Sequence, residues 1–395
     1  MRRTMTFAFL LKSSTFSLSR VSPAAAAAAS NSRSGILCAV MQRTFSTESS
    51  PYHTIAITGS SGLVGKALLD ELSKRESVNN KPVRVIKLER STTPITSGVS
   101  LPEEASVSSL PWNPNASGEE DDVAIDATIM PSIDTIVHLA GENVATGLGP
   151  LGFLGIRPWS DSKKALILNS RTGPTRAIAK AVASSSNPTT LISASGVGAY
   201  GDAFVGSNSS PAADEDADTT KTTGFLAEVS RQWEDATSPA AAAAVGENRV
   251  IQARFAPVLS KAGGALQKLY PVFYFGGGGI VGCGTQYFSY ISARDAARAL
   301  IHLIETPTLS GPVNVCAPTA VTNAEFTQAM GSVMKRPTFL PFPSFAVNLM
   351  FGEMGKEMLL GGVNARPKKL MESGFEFCHD GIEEALDSAI HKETI

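Results

Sequence analysis

The sequence predicts an α/β protein, a doubly wound parallel sheet with helices on both faces and a small helical part at its C-terminal end. Three observations predict it. Short apolar runs alternate with helix-length segments from residue 52 onward, the pattern of parallel strands joined by crossover helices. The first apolar run ends in a glycine-rich turn, Thr58-Gly59-Ser60-Ser61-Gly62-Leu63-Val64-Gly65, which opens the first helix-length segment. A proline-rich joint at residues 336–343 then sets this alternation apart from a final stretch of helical character.

The elements follow in order. Residues 54–58 are a short apolar run closed by glycine, the pattern of a buried strand, and residues 63–73 have helical spacing. Residues 83–88 give the next strand. Residues 91–131, rich in Pro, Ser and acid, read as loop with one strand near Trp112. Residues 135–139 are again a buried strand, 159–183 a long helix and 190–193 a further strand. Residues 201–224 are polar and acidic with few large apolar side chains, so they read as an exposed loop. A helix at 225–237 and a strand at 249–254 come next, then a helix at 293–305, a short strand near Val313 and a helix at 323–334. The expected division is a nucleotide-binding domain at 52–338 and a small C-terminal domain at 339–391.

The first acidic residue is Glu48, whereas Arg2, Arg3, Lys12, Arg20, Arg33 and Arg43 are spread through a Ser- and Ala-rich leader. An acid-free, Arg- and Ser-rich start has the character of an organelle transit peptide, so residues 1–47 are expected to be a disordered, removable leader. Arg43-Thr44-Phe45-Ser46 resembles a mitochondrial processing site cut after Phe45, which points to the mitochondrion, with the plastid as the alternative. The apolar run 7–11 is too short for a membrane span, and no later run is long enough for one.

Bulk composition narrows the function classes. Of 395 residues 43% are hydrophobic and 18% charged, and the formal net charge is −2; a nucleic-acid surface would need a basic excess. The four cysteines, Cys38, Cys283, Cys316 and Cys378, form no CxxC pair, and the five histidines show no ligand spacing. Neither a disulfide framework nor a metal site is expected. Oligomeric state is not legible at this stage.

The glycine turn carries the strongest chemical signal. Gly59 allows a tight turn out of the strand, Gly62 lets the backbone approach a pyrophosphate, and Gly65 lets helix and sheet pack closely. The pyrophosphate would rest on the helix N-terminus, where unpaired N–H groups favour negative charge. This is the Rossmann arrangement, and Gly59 to Gly65 are the expected NAD(P)-binding residues. The second strand ends in Glu89-Arg90. An acid there takes the ribose hydroxyls of NAD, and an arginine takes the 2′-phosphate of NADP. The pair favours NADP, with NAD the alternative.

The ordered segments TGSSGLVG (58–65), VHLAGENVA (137–145), WSDSKKALILNSRTGPT (159–175), LISASGVGAYGD (191–202) and RFAPVLSKAGGAL (254–266) resemble the atypical short-chain dehydrogenase/reductases described as epimerase family, or sugar-nucleotide epimerase-like, proteins. The likeness runs from about Ile55 to about Leu386 and takes in LLGGVNARPKKLMESGFEF near the end. It implies a Rossmann sheet of the extended short-chain dehydrogenase type with a family-specific C-terminal domain. It also implies cofactor contacts at Leu139, Ala140, Gly141, Leu166, Arg171 and Val258. Ala256-Pro257 departs from the family, where a glycine and an aliphatic residue are usual, and proline removes a backbone donor there.

Typical members move a proton with a tyrosine and a lysine four residues apart on one helix, aided by a serine. Here the corresponding positions are Phe225 and Val229, and neither transfers a proton. Ser195, at a strand end beside the cofactor edge, and Tyr200, in the turn after it, are the remaining catalytic candidates; Lys164 and Glu228 read as exposed helix charges. Two functions stay open: an NADP(H)-dependent oxidoreductase or epimerase acting on an unidentified small molecule, and a non-catalytic, cofactor-binding regulatory protein of an organelle, for example in organelle division.

Overall fold

The structure, a computed structural model, describes residues 50–91, 106–118, 122–144, 158–204, 212–243 and 248–393, with 202–204 described by backbone alone. The expected leader, with its candidate processing site after Phe45, lies outside these residues. The strands are β1 (His53–Thr58), β2 (Ser77–Val78), β3 (Lys81–Arg90), β4 (Val107–Trp112), β5 (Thr135–His138), β6 (Thr190–Gly196), β7 (Arg249–Phe255), β8 (Val258–Leu259), β9 (Tyr287–Phe288), β10 (Ile291–Ser292), β11 (Gly311–Val315) and β12 (Val321–Thr322). The main sheet has the order β11-β7-β6-β5-β1-β3-β2, with β4 also on β3. Its pairs are parallel except β2 with β3. That exception is a tight hairpin, in which Asn79 and Asn80 both take positive φ (51° and 62°), as a two-residue turn matched to strand twist requires.

β1 is buried along its whole length, so it can pair on both sides, and its register is fixed by Thr58↔Leu88 on β3 and Thr58↔His138 on β5. The chain fills the sheet on the β3 side first and then crosses to β5. That reversal opens a crevice at the C-terminal ends of β1 and β5, where ligands of such sheets bind.

The strand period of two divides the core. Ile55, Ile57, Val137, Ile192 and Ile251 face α1 (Leu63–Ser73) and α6 (Ala293–Glu305). Ala56, Ile86, Ile136 and Leu191 face α2 (Asp161–Ala183), which presents Ala177, Ile178 and Val182. Helix α3 (Phe225–Asp235) and the short α4 (Ser238–Ala242) flank α2 and β7, while α5 (Gly264–Tyr274) and α7 (Asn323–Met334) cover a second core around Leu266, Phe273, Phe326 and Met330. α7 begins with a capping box between Thr322 and Glu325, which satisfies two backbone donors at once.

Two expectations change. The C-terminal helices are integrated into the core, because Leu370 and Phe375 join the α1/α6 core and Ala385, Leu386 and Ile390 join the α5/α7 core. Nor is 201–224 simply an exposed loop. Within its described part Ala213, Glu215 and Thr222 are buried, and the Glu215 carboxylate accepts the backbone N–H groups of Asn314 (2.9 Å) and Lys368 (3.1 Å). Polar composition here marks buried backbone partners rather than solvent.

Candidate functional site

The site begins at the turn from β1 into α1. Gly59 has φ 68°, and a Cβ on it would lie 2.9 Å from the Leu139 carbonyl carbon. A methyl at Gly65 would overlap the Gly59 carbonyl and the Ser60 backbone. The loop therefore closes over α1 only with glycine at both places. Gly62 caps α1 without a side-chain hydrogen bond, and the first turn carries no acid. Among the described residues no side chain takes the first N–H groups of the helix, which leaves them open to an anion.

Thr58 ties this loop to the next strand. Its Oγ1 accepts from Leu139 N (3.2 Å) and Ala140 N (3.3 Å) and lies 2.7 Å from His138 Nδ1. With both lone pairs used, the hydroxyl proton goes to Nδ1, which places the imidazole proton on Nε2. His138 is fully buried against the Trp112 ring. Burial, with the Arg90 charge adding to it, pulls its pKa down to about 3.

From this loop a cavity of about 500 Å³ runs to the C-terminal segment. Gly59, Gly62, Leu63, Val64 and Gly65 form one end, and Leu139, Arg171, Ser195 and Val258 lie along its walls. Of the remaining sequence-predicted residues, Ser60 and Ser61 form the partly open tip of the loop, and Ala140 and Gly141 follow Leu139, with Gly141 against the Arg171 side chain. Glu89 and Arg90 sit at the exposed end of β3, where the Glu89 carboxylate accepts the Ser109 hydroxyl at 2.9 Å. Leu166 is not brought to the cavity wall; it is half exposed on the outer side of α2. Arg171 reaches in because Nη2 donates to Glu142 O (2.8 Å), Nη1 donates to Ile167 O (3.0 Å), and its guanidinium lies 4.9 Å over the Trp233 ring. Burial lowers its pKa to about 10, against the opposing pull of Glu142.

The two catalytic candidates part company. Ser195 ends β6 on the cavity wall and donates to Glu234 Oε1 at 2.7 Å. Glu234, on α3, also takes Arg254 in a two-pronged pair, with Nε and Nη2 each 2.8 Å from its oxygens. Tyr200 is a correction to the sequence expectation. It is fully buried away from the cavity, and its hydroxyl donates among Asp214 O (2.8 Å) and Asn314 Oδ1 (2.9 Å). Burial outweighs the Arg254 charge beside it and pushes its pKa up to about 12, the wrong direction for a proton donor at neutral pH.

Val229 lines the cavity, whereas Phe225 packs edge-on to Trp159 at 4.9 Å. Among the described residues neither position of the usual proton-transfer pair carries a titratable group. Sequence reasoning missed the far wall: Leu226, Trp233, Tyr287, Phe288, Glu357, Met358 and the Gly361-Gly362 pair. Glu357 accepts the N–H groups of Phe225 (2.7 Å) and Leu226 (2.9 Å), so a C-terminal carboxylate caps α3 beside the cavity. Gly362 packs so closely on the Tyr287 carbonyl that a methyl there would overlap it. The segment LLGGVNARP held that signal, but its partner is remote in sequence.

A parallel sheet with an uncapped glycine loop at its switch point defines a dinucleotide-binding protein of the short-chain dehydrogenase type. Residues 55–316 match the NAD dependent epimerase/dehydratase family, and residues 342–389 match a domain of unknown function, DUF1731. The chain belongs to the NAD dependent epimerase/dehydratase family. It is 40% identical over 338 residues to an epimerase family protein of Mycobacterium bovis, covering 85% of this chain and 97% of that protein. It is 30% identical over 337 residues to a chloroplastic SDR39U1 homologue of Arabidopsis thaliana, covering 84% of this chain and 85% of the relative. Among solved structures, human epimerase family protein SDR39U1 with NADPH superposes with a TM-score of 0.67 at 26% identity, covering 86% of this chain and all (100%) of the other.

Proposed function

We propose that this protein binds NADP(H) and acts as an oxidoreductase or epimerase on a small molecule, without a tyrosine–lysine pair. The observation that carries the reading is the cavity, which joins an anion-ready helix N-terminus to a partly apolar chamber walled on its far side by the C-terminal segment. The residues present fit the cofactor. Gly59 to Gly65 would hold its pyrophosphate and Leu139, Ala140, Gly141 and Arg171 its ribose side, with Val258 beside the nicotinamide and Arg90 meeting the 2′-phosphate. Bound there, the cofactor supplies hydride chemistry. Glu89, engaged by Ser109, is drawn aside from a phosphate, which supports NADP over NAD, as does the NADPH in the human relative's structure.

The chain's own part is to bind, orient and exclude water. Trp233, Leu226, Phe288 and Met358 shield the chamber, and Ser195 offers it a fixed polar atom. A panel of carbonyl and sugar-nucleotide substrates followed by NADPH absorbance tests the enzymatic reading: turnover is expected for a restricted substrate and to be slow on generic ones, since a missing general acid costs about 10² to 10⁴ in rate. A second reading, a non-catalytic cofactor-bound regulator, is favoured by Phe225 and Val229 in the proton-transfer positions. It gains if no member of the panel turns over while NADPH binds.

The basic, acid-free leader supports residence in an organelle, the mitochondrion by its Arg43-Thr44-Phe45-Ser46 segment, with the plastid the alternative in view of the chloroplastic relative. N-terminal sequencing of the protein from its native cells should find the chain starting near Ser46; an intact Met1 refutes the leader. Within the same proposal, 339–391 is a family-specific extension that completes the cores of 52–338 rather than a separately folding domain.

A further inference from the structure

We infer that the Glu234–Arg254 pair fixes Ser195 as a hydrogen-bond acceptor toward the cavity, so that the site selects a ligand presenting a donor, such as a hydroxyl, rather than a bare carbonyl. The inference rests on reading the cavity as a small-molecule site and names the class of group it takes.

A serine hydroxyl has one proton and two lone pairs. The proton of Ser195 goes to Glu234 Oε1 at 2.7 Å. That carboxylate cannot return a proton, because Arg254 grips both its oxygens at 2.8 Å, and an ionised carboxylate only accepts. Although burial works against it, the bonds and charge of Glu234 hold the Arg254 guanidinium protonated well above its ordinary range. Nor is the hydroxyl free to rotate. Ser195 is 4% exposed, and turning its proton away would set a serine lone pair directly against the negative Glu234 Oε1, leaving that oxygen only its bond from Arg254 Nε. Among the described residues no donor reaches Ser195 Oγ, so its lone pairs are unspent where β6 meets the cavity. A ligand hydroxyl donating there completes the chain from ligand to Ser195 to Glu234 to Arg254, and each link polarises the next. A carbonyl oxygen at the same place meets lone pairs backed by a carboxylate and is repelled.

Matched probes test this: cyclohexanol against cyclohexanone, and benzyl alcohol against benzaldehyde, titrated by ligand-observed NMR onto the full chain with and without NADPH. The alcohols should bind about tenfold tighter than their carbonyl partners, the worth of one well-placed hydrogen bond. Ser195→Ala, which leaves the ion pair in place, should erase the preference. Glu234→Gln, whose amide can donate to Ser195 Oγ and release its proton toward the cavity, should shift it toward the carbonyls; if that variant does not fold, Ser195→Ala carries the test. Equal affinities, a carbonyl preference in the wild type, no binding of either kind, or an alcohol preference that survives Ser195→Ala overturns the inference. NADPH affinity, measured by calorimetry on the same samples, separates its failure from that of the proposed function: a chain that binds no NADPH but keeps the alcohol preference refutes only the latter.

Discussion

Replacing Glu234 with alanine should be the most damaging single change near the cavity. The Arg254 side chain is 4% exposed and that of Glu234 17%, so Glu234→Ala leaves a buried guanidinium without its counter-charge. Breaking a buried pair from one side costs about 3–5 kcal/mol. The Ser195 hydroxyl loses its acceptor as well, worth about 1 kcal/mol more. For a domain of this size ~5 kcal/mol lowers Tm by about 7 °C. Removing both partners should be gentler: Glu234→Leu with Arg254→Met fills similar space without an orphan charge and should recover most of the loss. Differential scanning calorimetry and urea denaturation of wild type, singles and double give the cycle. A Glu234→Ala protein within about 1 kcal/mol of wild type, or a double variant as unstable as the sum of its singles, refutes the assignment of the pair as mutually compensating.

Three further outcomes follow from other parts of the site. His138 has its pKa lowered from 6.5 to about 3, so below pH 6.5 the unfolded chain binds a proton that the folded chain refuses; its contribution is complete above pH 6.5 and falls by about 1.4 kcal/mol per pH unit toward pH 3. Urea midpoints should therefore show the wild type losing about 2 kcal/mol more than His138→Asn between pH 6.5 and 5, and parallel losses would contradict the buried, neutral imidazole. Arg90→Ala should weaken NADP binding about tenfold while leaving NAD nearly untouched; equal losses by calorimetry would remove Arg90 from the phosphate. Tyr200→Phe should cost about 1–3 kcal/mol of stability with no change in NADPH affinity or in turnover per folded molecule, and a specific loss of turnover would return Tyr200 to the chemistry.

What the sequence revealed was local. Gly59, Gly62 and Gly65 lie within one turn and are demanded by backbone geometry that reads directly from spacing. Ser195 was singled out because ligands gather where parallel strands end, and strand ends are visible as the close of apolar runs; Leu139 and Val258 came from the family resemblance, and all three line the cavity. What it hid depends on pairs remote in sequence. Glu234 carries no signal within the helix pattern at 225–237, and its role emerges only when β7 brings Arg254 against it. Tyr200, a plausible acid in a loop, turns inward because Asn314 and the Asp214 carbonyl wait there. Glu215 sits in an acidic stretch that looks solvated, yet serves backbone donors of Asn314 and Lys368. Leu166, placed by resemblance, faces outward, since the same helix commits Ile167 and Arg171 to the inside.

Native mass spectrometry of the purified chain tests most directly whether NADP(H) rests on the N-terminus of α1. The wild type should carry, or take up on addition of NADPH, one cofactor per chain, and Gly65→Leu, whose side chain must displace the Gly59 carbonyl, should carry none while remaining folded by circular dichroism. A wild-type chain that stays at its bare mass in excess NADPH, or a Gly65→Leu chain that binds it equally well, would contradict cofactor binding at this helix N-terminus.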